Sequence, residues 1–185
     1  MNDMSPINRE LAAGERLLWS GQPRQGVTLR GSDALMIPFS LLWGGFAFFW
    51  EWSVINSDAP AFFMLWGIPF VAVGLYLIVG RFFVEAWQRS RTHYAVTSER
   101  VLIVEGLFKN TVRSVSLRTL SEMSLSESSS GEGTIHFGPN SLPSFFRGFS
   151  GWPGMKERMG PMFDRIADAR IVRDLINGAQ KALSR

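Results

Sequence analysis

The sequence predicts a two-part protein, a membrane α-helical hairpin joined to a mainly antiparallel β domain. Three observations lead there. Two long apolar runs, Ala34–Trp50 and Pro60–Gly80, flank a polar break at Asn56-Ser57-Asp58-Ala59. After Arg91 the chain changes to short segments of alternating polarity cut by Gly, Asn and Ser. A final stretch carries apolar residues at helical spacing.

The hairpin comes first in the argument because its signal is strongest. The second run is free of charge over about 20 residues, which at about 1.5 Å per residue matches a hydrocarbon core of about 30 Å. Trp52, Val54 and Ile55 extend the first run to similar length. The spans are therefore placed at about 34–55 and 60–84. Trp43, Trp50, Trp52 and Trp66 lie in or near them, some at depths suited to the aromatic belts of a membrane interface. Gly44-Gly45, Gly67 and Gly74 would let the two helices approach closely.

Charge sets the orientation. Arg24 and Arg30 precede the hairpin and Arg81, Arg89 and Arg91 follow it, while the connecting loop holds no Lys or Arg. The positive-inside rule then puts both termini in the cytoplasm and makes this a multi-pass protein of the cytoplasmic (inner) membrane. No ionisable side chain lies deep in either span, which argues against a pump or proton-coupled carrier. The net charge of +3 is uneven: residues 1–33 sum to zero, 34–85 to −2 and the remainder to +5. A basic domain beside a membrane points to anionic lipid head groups before nucleic acid. The absence of cysteine excludes disulfides and thiolate metal sites.

Residues 1–33 form a cytoplasmic segment without the apolar core of a secretory signal. Near 15–20, Glu15-Arg16-Leu17-Leu18-Trp19-Ser20 reads as a strand closed by Gly21-Gln22-Pro23. An apolar strand left alone would be an open edge, so it is expected to pair with the β domain, with Trp19 as a core plug rather than a ligand platform.

The domain proper spans 92–185. Thr92–Thr97 alternates, turns at Ser98-Glu99 and continues into the apolar run Val101–Val104. Val115 and Leu117, then Met123 and Leu125, then Ile135 and Phe137 mark three more strands, giving five short sequential antiparallel strands. Met162–Ile166 reads as one more. Asp168 is the expected N-cap of a helix at about 168–183, with Ile171, Val172, Leu175, Ile176, Ala179 and Leu183 on one apolar face.

In this order the residues Tyr94-Ala95-Val96-Thr97-Ser98-Glu99-Arg100-Val101-Leu102-Ile103, Ser114-Val115-Ser116-Leu117 and Ile166…Asp168…Val172…Ile176 resemble the bacterial pleckstrin-homology (PH)-like domains found beside paired transmembrane helices. The segment Gly14–Pro23 is similar to the one that precedes the hairpin in many of them. The resemblance implies a PH-like, partly open barrel of two sheets capped by a C-terminal α-helix, and no catalytic activity. Eukaryotic relatives often bind phosphoinositides through bases in the first strand–strand loop. Here that loop is Ser98-Glu99-Arg100, with one base and one acid.

Catalytic and cofactor signatures are absent from the sequence. The histidines His93 and His136 sit opposite the larger apolar residues of their strands, and no cluster has metal-ligand spacing. There is no nucleophile elbow and no phosphate-cradling glycine loop. The expectation is therefore a non-enzymatic module without cofactor, metal or small-molecule substrate.

Two sets of residues are candidates for contact. One is the aromatic and basic stretch Phe145, Phe146, Arg147, Phe149, Trp152, Lys156 and Arg158 within a long irregular connection. It reads as a protein-binding patch, as a membrane contact, or as a sixth strand near Ser144–Phe149 that completes the core. The other is Arg81, Arg89 and Arg91, placed to meet lipid head groups. The functional expectation is protein–protein interaction or assembly at the cytoplasmic membrane face, with a protein partner or a homo-oligomer. The alternatives are an anionic-lipid-binding or lipid-sensing module and a membrane enzyme, for which no catalytic residue stands out in the sequence. Nucleic acid is not an expected partner.

Overall fold

The computed structural model describes residues 5–29, 33–106, 110–128, 131–138 and 160–184. Within them the chain forms two compact units, 27–85 and the combination of 1–26 with 86–185.

The first unit is a helical hairpin. Helix α2 runs Asp33–Ile55, following a short α1 at Ser5–Asn8 in the other unit. The return stretch comprises α3 (Ala61–Leu75), a π-helical turn (Tyr76–Gly80) and the start of α4 (Arg81–Ser90), whose residues from Ala86 on belong to the second unit. Asp33–Ile55 and Ala61–Ser90 are both long and apolar enough to cross a membrane. Most of their large side chains, such as Leu42, Phe46, Phe49, Leu65 and Trp66, are exposed, as lipid-facing residues would be.

Glycine sets how close the helices come. A Cβ on Gly74 would lie 3.0 Å from the Gly44 Cα, so this pair marks a backbone-to-backbone approach. Gly67 packs under Trp50 and the carboxylate of Glu51. Gly45 has open space where its Cβ would be.

The second unit is a pair of antiparallel sheets. One has the order β1-β2-β3-β4, formed by Leu17–Gly21, Thr92–Thr97, Arg100–Gly106 and Asn110–Ser116. The other has the order β5-β6-β7, formed by Met123–Glu127, Gly133–Phe137 and Met162–Ile166. The five sequential strands divide between the two sheets that the resemblance implies, because the ladder breaks between β4 and β5. With a final helix, α5 (Ala169–Leu183), this is a PH-like arrangement of two sheets that do not close into a full barrel.

Alternation in β2 and β3 sends Tyr94, Val96, Val101 and Ile103 inward against Ile135, Phe137 and Phe163 of the other sheet. Val172 and Ile176 of α5 complete this core. The opposite face of β2 and β3 is also buried, because Ile7 packs on Ala95 and Leu102 with Leu11 and Leu17 beside it. That double burial explains why Val101–Val104 reads as a continuous apolar run rather than an alternating one.

Two expectations for α5 are corrected. Asp168 occupies the N-cap position, but its backbone is left-handed (φ 51°, ψ 39°) and its side chain makes no capping bond. Its contribution is its carbonyl, which accepts from the Val172 N–H at 3.1 Å. Ile171 leaves the apolar face and is 67% exposed, because the buried stripe is centred on Val172 and Ile176.

Candidate functional site

The segment before the hairpin belongs structurally to the domain after it. Strand β1 pairs antiparallel with β2, and Trp19 reaches the core, its ring 5.7 Å from that of Phe163. Beyond β1 the chain crosses to the other sheet. The Arg24 N–H donates to the Arg165 carbonyl at 2.9 Å, and its guanidinium donates to both Glu132 carboxylate oxygens at 2.9 Å. Arg165 presents that carbonyl from an irregular part of β7, with φ at 48°. A non-glycine residue in that region is held there by its surroundings, here a Thr134 hydroxyl that accepts from the Arg165 N–H.

The first strand–strand turn is closed from within. Glu15 is buried, and its carboxylate accepts from Arg100 Nε and Nη2, each at 2.9 Å. It also accepts from the Thr97 hydroxyl at 2.7 Å and the Ala12 N–H at 2.8 Å. The Arg100 hydrogen bonds lower the Glu15 pKa to about 2, against the opposing pull of burial and with further help from Thr97 and Ala12. Arg100 is raised in turn, chiefly by its bonds to Glu15.

A third set of contacts ties the incoming chain to the outgoing one. The Arg89 guanidinium donates to the Gly26 carbonyl at 2.8 Å, and the Gln25 amide donates to the Arg89 carbonyl at 3.3 Å. The Gln22 amide lies 3.2 Å from His93 Nδ1.

The three arginines expected at lipid head groups therefore have different surroundings. Arg89 is 3% exposed and serves the tie just described. Arg81 pairs with Asp33 at 3.1 Å and lies over the Phe82 ring. Arg91 is exposed, with its guanidinium carbon 5.1 Å from the centroid of the Trp87 ring. The stretch Phe145, Phe146, Arg147, Phe149, Trp152, Lys156 and Arg158 lies outside the described residues.

A cavity of about 20 Å³ opens between the sheets, lined in part by Tyr94, Glu105, Arg113 and Asp164. It has room for about one water molecule, far below the hundreds of Å³ of an organic-ligand site. Among the described residues no group of three or more His, Cys, Asp or Glu could hold a metal ion.

The model of one known family, described as Bacterial PH domain, matches residues 38–180, from the first long helix almost to the end of α5. The chain belongs to the bacterial PH domain family. No curated protein and no solved structure matches it. Within this bacterial PH domain protein, sequence pattern alone does not distinguish Glu15 and Arg24 from other surface charges, since their partners are remote in sequence. Trp87 carries a local signal, the four-residue spacing that puts it beside Arg91 on a helix.

Proposed function

We propose that this protein is a membrane-anchored, non-enzymatic PH-like module whose domain binds a protein partner, or further copies of itself, at the cytoplasmic face of the inner membrane. Membership of the bacterial PH domain family supports a binding role, and the two span-length helices support membrane attachment. The hairpin concentrates the domain at one surface, which strengthens weak contacts there.

The observation that carries the choice of a protein partner is the Glu15–Arg100 pair. The single base of the first strand–strand turn is already held by an internal carboxylate in a two-bond grip. A phosphoinositide at that turn would have to displace Glu15. Contact is assigned instead to Phe145, Phe146, Phe149 and Trp152 with Arg147, Lys156 and Arg158, a combination suited to anchoring in a protein interface.

Photo-crosslinking in intact membranes from a probe at Phe146, with Trp152 as a second position, tests this. A discrete heavier protein adduct is the expected result. Lipid adducts alone would move the assignment to a lipid-binding module, and crosslinks only within the chain would make the stretch part of the core.

A further inference from the structure

We infer that Trp87 and Arg91 form a head-group site, in which the Arg91 guanidinium, held over the Trp87 ring, takes the phosphate of an anionic lipid. The inference rests on the membrane-anchored reading above and adds a ligand class and two residues to it.

Length places the pair. The helical stretch Ala61–Ser90 has 30 residues, about 45 Å at 1.5 Å per residue, against about 30 Å of hydrocarbon. Its last turns must therefore leave the apolar layer unless the helix tilts strongly. Trp87 follows Val84, the end of the second span as placed from the sequence, by about 5 Å of helix rise, within an interfacial layer about 5–8 Å thick. Arg91 sits one turn further on, and its side chain reaches back over Trp87 toward that layer.

Chemistry favours a phosphate there. Trp87 is 41% exposed, a ring suited to the interface. Among the described residues no carboxylate pairs with Arg91, in contrast to Arg24, Arg81, Arg100 and Arg170. The cation–π contact keeps the guanidinium beside the ring, and its N–H groups suit two-pronged contact with phosphate oxygens. The +5 balance of residues 86–185 adds attraction to an anionic leaflet.

The test uses the full chain in lipid nanodiscs. Because the chain has no cysteine, Ser90→Cys carries a single fluorophore beside Arg91, and phosphatidylcholine with a head-group nitroxide quenches it. Replacing 30% of it with unlabelled phosphatidylglycerol should cut quenching about 3-fold for a roughly 5-fold lipid preference, and the effect read is the excess over the roughly 1.4-fold fall that dilution alone gives. Salt at 0.5 M should reverse the effect, Arg91→Gln should abolish it, and Arg91→Lys should keep part of it. A fluorophore at Leu65→Cys, read with acyl-chain nitroxides, reports on the span itself. Quenching at position 65 with no phosphatidylglycerol effect at position 90, or an equal effect in Arg91→Gln, overturns the head-group site alone. No quenching at position 65 overturns the membrane-anchored reading and the site together.

Discussion

Glu15 and Arg100 are 85 residues apart in sequence and joined by two hydrogen bonds of 2.9 Å. The hairpin lies between them in the chain, so this pair fastens the segment that enters the hairpin to the first turn of the domain that follows it. The Glu15 side chain is 1% exposed and the Arg100 side chain 31%. The interaction is therefore far less screened than an ordinary surface pair.

A pH dependence follows from the lowered Glu15 pKa of about 2. A carboxyl depressed on folding stabilises the native state above its unfolded pKa and loses that contribution as pH falls toward the folded value. Stability should decline between about pH 4.5 and 2 by about 1–3 kcal/mol from this group. Glu15→Gln should be less stable at pH 7 by a similar amount and show a flatter acid limb. Urea unfolding of the detergent-solubilised chain at pH 7, 4 and 3 measures both, and an unchanged acid limb would remove Glu15 from this role.

Strand β1 should be required by the domain. Residues 86–185 alone would expose the edge of β2 and leave the space of Trp19 empty. That fragment is expected to aggregate, and a peptide of residues 5–26 added in trans should restore a monomer on size exclusion. In the full chain, Trp19→Ala should cost about 2–4 kcal/mol, below the usual range for a wholly buried Trp because Trp19 is only partly buried.

The hairpin glycines should rank by what surrounds them. Gly74→Leu forces side-chain atoms against the Gly44 backbone and should destabilise the hairpin by about 1–3 kcal/mol. Gly45→Leu meets open space and should be nearly neutral. Thermal unfolding in detergent separates them. An equally damaging Gly45→Leu would point to Gly45 packing between chains.

Helix α5 offers a test that turns on the sign of an effect. A capping Asp168 would make Asp168→Gly neutral or weakly destabilising. With its left-handed backbone and no capping bond, the same change should instead stabilise by about 1 kcal/mol. Ile171→Gln should be silent, whereas Ile176→Ala should cost about 2–5 kcal/mol. Chemical denaturation of the three variants decides all of these together.

Much of the architecture is legible in local pattern. An uncharged run of span length, the alternation at Thr92–Thr97 and the turn at Ser98-Glu99 each depend on neighbours a few residues away. Even so, alternation could not show that β4 and β5 part into separate sheets, because a broken ladder and a continuous one share the same period. Helical spacing likewise admitted Ile171 to the apolar face, although the sheets cover a narrower stripe than the residue types allow.

By itself the sequence determined the span-length helices, the strands and turns, the closing helix and the resemblance to PH-like domains, since length, charge and period are local properties. Only the tertiary structure decided that Glu15 neutralises Arg100, that Arg24 bridges from one sheet to the other, and that Arg89 is buried while Arg91 is exposed. Each of these depends on segments brought together across the inserted hairpin. A carboxylate or guanidinium in one dimension carries no mark of the group it will face in three.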